Sequence, residues 1–191
     1  MEYKFRSRRN IYEFKTVKSS IKTDPITDGW ILDKKNKQSM RLKKPKRVGD
    51  ALEDQIWTLM ARMGFEEMNH GRQFRIPTGG DAKQIDVFAK DKLSCLIISC
   101  KANTDWAHRS LQSELESLDH LKKRIPSEVN KHYDSRPPHF HGFVLATKNV
   151  DWSQEDEERA AGWGIKAIKD EEIDYYTKLT DLIGPAARYQ L

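Results

Sequence analysis

Asp86 is a lone acid in the strand-like phrase Gln84-Ile85-Asp86-Val87-Phe88, and Lys101 closes the apolar run Leu96-Ile97-Ile98-Ser99-Cys100-Lys101. Alternation along a strand puts Gln84, Asp86 and Phe88 on one face of the first run. It puts Ser99 and Lys101 on one face of the second, with Ile98 and Cys100 opposite. If the two runs are hairpin partners, Asp86 and Lys101 lie side by side. Glu53, with Trp57 and Met60 at i+4 and i+7, borders the buried stripe of a helix. Carboxylates hold Mg²⁺ or Mn²⁺ through oxygen, and a nearby Lys orients water or stabilises developing negative charge. That is the minimal apparatus of metal-assisted phosphodiester cleavage. The same spacing also suits an ordinary Asp–Lys pair at a strand end, which commonly does no chemistry.

The elements that must position these residues are legible as patterns. Asp50 is a good helix N-cap, Leu52, Ile56, Leu59, Met60 and Met63 recur at helical spacing, and Gly64 supplies a stop. Three strands are predicted over Phe74–Ile76, Gln84–Ala89 and Cys95–Lys101, with Thr78-Gly79-Gly80-Asp81 as a hairpin turn. A helix is predicted from Ala107 to Arg124, with Leu111, Leu115 and Leu118 in its stripe, then a loop punctuated by Pro126 and Pro137-Pro138. Phe140–Thr147 reads as a buried strand, Ser153–Gly162 as a helix, Ile165–Ile168 as a strand and Glu171–Ile183 as a final helix. Three consecutive strands make an antiparallel meander, and the later alternation adds parallel crossovers. The expected fold is α/β, at the α+β boundary: a mixed sheet with helices on both faces.

Charge divides the chain of 191 residues. Residues 1–50 hold 15 Lys+Arg against 6 Asp+Glu, whereas residues 51–191 hold 19 against 23. A head of net +9 on a body of net −4 excludes a uniformly basic, histone-like protein and suggests that one segment meets a polyanion. A basic hairpin is expected within 28–44, with strands Gly29–Leu32 and Ser39–Leu42 and a turn over Asp33–Lys37. Its lysines Lys34, Lys35 and Lys37, then Arg41, Lys43, Lys44, Lys46 and Arg47, are the expected DNA contacts, with Lys83, Lys101 and Arg109 on the sheet face as the alternative. The division is a head over 1–48, its residues 1–10 loose, and a domain over 49–191.

The remaining features exclude more than they assign. Cys95 and Cys100 sit an odd number apart in one strand and cannot form a disulfide framework. No signal peptide or span of roughly 18 apolar residues is present, so a soluble, cytoplasmic protein without a membrane partner is expected. His139 and His141 share a strand face, but no third ligand accompanies them. Trp57, Trp106, Trp152 and Trp163 read as core-packing residues, with Trp106 also near enough to Lys101 to border a site. The acidic run Glu155–Glu158 reads as a solvated helix start.

Asp86, twelve intervening residues and Ser99-Cys100-Lys101 resemble the PD-(D/E)xK nuclease superfamily, most closely its Mrr-type restriction-endonuclease branch. The Glu53 helix, the Gln84–Phe88 phrase and the strand-helix-strand tail extend the resemblance over roughly 49–183. Phe14-Lys15-Thr16, Asp28-Gly29-Trp30 and Arg41-Leu42-Lys43-Lys44-Pro45 resemble the N-terminal region of DGQHR-domain proteins, which are linked to DNA phosphorothioation and phage defence. In such proteins a DGQHR domain follows, and the chain stops at Ala187–Leu191, about where that domain begins; a fragment of a longer protein is therefore expected.

The resemblance implies a restriction-endonuclease-like fold and an endodeoxyribonuclease, with Asp86, Lys101, Glu53, Gln84 and Ser99 as catalytic residues and Mg²⁺ or Mn²⁺ as cofactor. Ser99 stands where the family has Glu, or sometimes Gln, and brings no negative charge. Glu53 then supplies a second acidic ligand beside Asp86, and Glu114 a third from the following helix. Glu114 precedes Leu118 and Leu121 at i+4 and i+7, on the flank of the packed stripe, whereas Glu116 points outward. The alternative is a degenerate nuclease fold that binds DNA or serves as a scaffold. A dimerisation domain has the least support, and a homodimer is compatible with either nuclease reading.

Overall fold

The computed structural model describes residues 6, 12–18, 27–77, 82–132, 138 and 140–191. The Thr78–Asp81 turn and His139 lie outside the described residues. Its axis is β8 (Ser94–His108), whose apolar run is long enough to hold a strand on each side. β7 (Val87–Lys90) pairs with it antiparallel, from Val87 opposite Ile98 to Lys90 opposite Cys95. β9 (Phe140–Asp151) pairs with its other edge in parallel, and β10 (Lys166–Ile168) continues in parallel beyond β9. β4 (Glu67–Met68) pairs antiparallel with β7, so the sheet runs β10-β9-β8-β7-β4. This is the expected mixed α/β sheet.

Strand alternation divides the core in two. Val87, Ile98 and Cys100 pack with Leu52, Ile56 and Met60 of α1 (Val48–Arg62) and with Ile173 and Tyr176 of α5 (Asp170–Ile183). Ile97 and Cys95 pack on the other face with Leu111, Leu115 and Leu118 around α2 (Gln112–Lys122), Val129 of α3 (Ile125–His132) and Ala160 of α4 (Gln154–Gly162). The two cysteines are therefore free and on opposite faces, as the odd spacing requires. Beyond α1, Gly64 adopts φ 87°, the left-handed geometry that turns the chain away from the helix.

Several boundaries differ from the sequence reading, each for a tertiary reason. Asp50 is not the N-cap: α1 starts at Val48 after extended Arg47, and Asp50 falls in the first turn, where its charge suits the helix dipole. The Phe74–Ile76 strand leaves the main sheet; β5 (Arg75–Pro77) pairs with β6 (Ala82–Gln84), and β4 takes the sheet edge instead. The Gln84–Ala89 strand is broken between β6 and β7 at Ile85-Asp86, so Ile85 and Phe88 reach the same core despite opposite parity. The Ala107–Arg124 helix starts late because Ala107 and His108 still pair with Val150 and Asp151 of β9. The Pro126 loop contains α3, with the proline at its second residue, where a missing N–H costs nothing.

The head is a three-stranded antiparallel sheet, β1-β3-β2, rather than a two-stranded hairpin. Its strands are β1 (Tyr12–Lys18), β2 (Ile31–Lys35) and β3 (Ser39–Pro45). Asn36 closes the β2–β3 turn, its Oδ1 accepting from the Ser39 amide at 2.6 Å and the Gln38 amide at 3.0 Å. Lys34 and Lys35 therefore belong to a strand, not to the turn. Arg6, in the segment expected to be loose, is buried and stacks 5.0 Å from the Trp57 ring centre. Trp106 is not a core residue; it is 68% exposed. Among the described residues no helix is long and apolar enough to cross a membrane.

Asp156 overturns the reading of a wholly solvated acidic run, since it is buried. Its Oδ2 accepts the Leu111 amide at 3.2 Å and the Ser153 hydroxyl at 2.9 Å, and Oδ1 accepts from Arg159 at 3.0 Å. One carboxylate thus anchors the entry to α2 and the start of α4. Asp156→Ala is expected to lower unfolding free energy by about 2–4 kcal/mol, the cost of stranding buried hydrogen-bonding groups. Urea denaturation measures it; a loss below about 0.5 kcal/mol would mean that water replaces these bonds.

Candidate functional site

Where β6 gives way to β7, the chain opens a cleft of about 250 Å³. Lys83, Gln84, Asp86, Ser99, Lys101 and Glu114 are among its lining residues. Four of the five residues expected to act in catalysis therefore line one depression, together with Glu114.

The ladder register determines which of them touch. Val87 opposes Ile98, so the next step places Asp86 across from Ser99 rather than Lys101. Asp86 Oδ2 accepts the Cys100 amide at 2.8 Å and the Ser99 hydroxyl at 3.2 Å. Asn69, almost fully buried, holds the backbone behind it: its amide donates to the Asp86 carbonyl at 3.1 Å and its Oδ1 accepts the Phe88 amide at 3.0 Å.

Lys101 lies one strand period beyond Ser99 and turns to Glu114, whose Oε1 is 3.7 Å from Lys101 Nζ. Arg109 donates to the same oxygen at 2.7 Å, and the Ser113 hydroxyl donates to Oε2 at 2.7 Å. Burial would raise the Glu114 pKa, but Ser113, the backbone, Arg109 and Lys101 together hold it below the usual value. Glu116 is exposed and accepts from Gln112, so the inward residue of the two is Glu114.

Glu53 approaches from the α1 side of the sheet. Its Oε2 is buried without a hydrogen bond, 3.3 Å from Arg72 Nε. Burial, then the Asp86 charge, with Asp50 adding and Arg72 and Arg6 opposing, push its pKa up to about 7. Arg72 also donates to Asp54 Oδ2 at 2.7 Å and to the Asp50 carbonyl at 3.2 Å, and its own carbonyl accepts from Gln84 Nε2 at 2.8 Å. Gln84 is thereby committed to shaping the cleft rim.

Glu53 and Glu114 occupy helices on opposite faces of the sheet; the Asp86 charge acts on Glu53, while Asp86 and Glu114 line the same cleft. Among the described residues no three His, Cys, Asp or Glu side chains form a metal-binding group. Glu53 and Asp86 remain as two hard oxygen donors, one with an unbonded buried oxygen. Two carboxylates alone would leave most positions of such an ion to water or substrate oxygens, as Mg²⁺ commonly tolerates. His141 has a buried Nε2 without a partner and a pKa lowered by burial, and lies at the start of β9 away from this cleft.

The basic head sorts into exposed and committed charges. Lys34, Lys35, Lys37 and Arg47 are exposed. Arg41 and Lys43 pair with Asp33 at 2.5 and 3.6 Å and lie over Phe14 and Tyr12, while Lys44 lies over Trp30. Lys46 is withdrawn from solvent, 2.6 Å from the buried Asp54. Lys83 is exposed at the cleft rim.

Sequence reasoning missed Asn69 and Arg72, whose partners are distant in the chain and leave no local signal. It also left Arg109 out of the catalytic set, although a cation five residues before Glu114 and eight after Lys101 was readable.

No family model matches the sequence, and no curated protein matches it. Among solved structures, the chain is similar to the protein of unknown function AF1548 at 22% identity and TM-score 0.45, over 60% of this chain and 54% of that one. It is also similar to protein VC1899 from Vibrio cholerae at 17% identity and TM-score 0.47, over 73% of this chain and 37% of that one. The chain thus spans about half and about a third of those proteins.

The raised Glu53 pKa makes stability depend on pH. The folded state binds this proton more tightly than the unfolded chain, so the stabilisation present below the ordinary value of 4.5 is lost as pH rises to about 7. Glu53→Gln is expected to remove that loss, gaining about 1–3 kcal/mol over the wild type between pH 5 and pH 8 after allowance for partial solvent screening. Denaturation at several pH values checks it; a difference independent of pH would place the Glu53 pKa near that of an ordinary carboxyl.

Proposed function

We propose that residues 49–183 form a divalent-metal-dependent DNA endonuclease domain of the PD-(D/E)xK, restriction-endonuclease-like type. The supporting observation is the convergence of Asp86, Ser99, Lys101 and Glu114 on one cleft at the β7–β8 ladder end. The resemblance adds a DNA-modification or phage-defence setting, a cytoplasmic location and a downstream DGQHR domain, with a homodimer as a compatible assembly.

In this reading Asp86 and Glu53 hold Mg²⁺ or Mn²⁺, which would neutralise phosphate charge and acidify a bound water. Lys101, only partly exposed, presents its ammonium to the cleft and stabilises charge developing on the phosphate. Ser99 keeps the Asp86 carboxylate oriented through its hydroxyl. Lys83 and the exposed lysines of β2 and its turn bring the DNA backbone to the site.

A second reading, a degenerate nuclease fold that binds DNA without cutting it, is favoured by two observations. The Ser99 hydroxyl, where the family carries an acid, is spent on Asp86, and Asp86 serves the Cys100 amide.

A plasmid-cleavage assay with Mg²⁺ or Mn²⁺ separates the readings. Asp86→Asn keeps an acceptor for the Cys100 amide while removing the charge. That variant and Lys101→Ala are each expected to lose about 100-fold or more of the cleavage rate while remaining folded by circular dichroism. Undiminished cleavage by the folded variants would move the chemistry elsewhere. DNA binding without cleavage by the wild type in either metal would establish the second reading.

For DNA binding by the head, replacing Lys34, Lys35 and Lys37 with Gln is expected to reduce the slope of log affinity against log salt by about 0.9 for each phosphate no longer neutralised. An unchanged slope would remove these three lysines from the DNA interface.

A further inference from the structure

Lys101 and Arg109 converge on a single oxygen of Glu114, at 3.7 and 2.7 Å. The three side chains differ sharply in exposure: Glu114 is 7% exposed, Lys101 36% and Arg109 46%. The acid is buried and tethered on its far side by Ser113, while the cations project from it towards solvent. One carboxylate facing two cations leaves a local charge of +1. Arg carries five donors and Lys three, and among the described residues Glu114 is the only acid that pairs with either side chain. Lys101 and Glu114 line the cleft that also holds Asp86 and Ser99, and Arg109 adjoins it through its bond to Glu114.

Two cations held a few ångströms apart, with unspent donors and one buried counter-ion, suit one phosphate group. We propose that Lys101 and Arg109 form a two-cation seat for a single phosphodiester of DNA, and that Glu114 is the positioning residue that spaces them. Glu114 acts through its neighbours and touches no phosphate itself. Its buried carboxylate restrains two long side chains that otherwise lose considerable rotamer freedom on binding. The seat gives Glu114 a role distinct from that of a metal ligand, since its Oε1 already faces two cations. The inference rests on reading the cleft as a place for DNA, but not on hydrolysis there.

The test is a double-mutant cycle of duplex-oligonucleotide binding by fluorescence anisotropy in EDTA, where metal-dependent cleavage is absent. Lys101→Gln and Arg109→Gln are each expected to weaken binding, and the double variant, which leaves that one phosphate without either cation, to reduce the salt slope by about 0.9. If both engage one phosphate, the double variant loses less than the product of the single losses, by a factor of about three or more. In a Glu114→Gln background, checked for folding by circular dichroism, that coupling is expected to fall to within about twofold of independence. A merely structural Glu114 would leave the coupling intact. Independent losses in the wild-type background overturn the seat. Coupling that persists in Glu114→Gln removes Glu114 from its role. The wild-type cycle requires no Glu114 variant, so it decides the seat even if Glu114→Gln fails to fold. Absence of DNA binding by the wild type overturns both the seat and the reading of the cleft, whereas intact coupling without cleavage in Mg²⁺ overturns hydrolysis alone.

Discussion

The Cys100 amide lies in β8 just where the ladder to β7 has run out, and Cys100 is buried against α1. A stranded amide there would cost about 1–3 kcal/mol. Asp86 removes that cost by turning its carboxylate back over the ladder end, 2.8 Å from the amide nitrogen. This requires the chain to leave the sheet between β6 and β7, and the same departure opens the cleft. Ser99 then falls opposite Asp86, and Lys101 emerges one strand period farther along. The residues that look like chemistry are thus arranged by a problem of backbone satisfaction at a strand end.

Two acids near that point meet contrasting surroundings. Glu114 is met by Arg109, Lys101 and Ser113, which stabilise its charge despite burial. Glu53 has less compensation: Arg72 lies beside it, but burial and the Asp86 charge prevail and its pKa rises to about 7. Arg72 cannot serve Glu53 fully because it also bonds Asp54. Asp54 in turn holds Lys46 at 2.6 Å, with Arg6 3.9 Å away. Removing one member of so buried a set leaves an uncompensated charge, so the set restricts how β3 and α1 can sit together. Through Lys46 and Arg72 the head and the cleft therefore share one acid on α1.

Local patterns in the chain sufficed for the mixed α/β class, the two-faced core and the free cysteines. Leu52, Ile56 and Met60 repeat at helical spacing, and strand parity correctly put Cys100 in the core beneath α1 and Ser99 in the cleft. Parity also brought Asp86, Ser99 and Lys101 to one cleft, and helical spacing chose Glu114 over Glu116 as the inward residue. These features were legible because periodicity is a property of neighbouring residues, set by backbone geometry before any distant contact forms.

Only tertiary structure decided which charges meet. The register placed Ser99, not Lys101, opposite Asp86, and gave Lys101 to Glu114. β4 displaced the Phe74–Ile76 strand from the main sheet, and the Asp156 carboxylate, 45 residues from Leu111, marked the entry to α2. Arg72 joined Glu53, Asp54 and Gln84 across gaps that no local window covers. The sequence by itself determined the faces on which side chains lie wherever an element runs unbroken, because that follows from φ and ψ; the break at Ile85-Asp86 reset it. Partners, burial and the pKa of Glu53 depend on long-range distances, and those exist only once the chain has closed on itself.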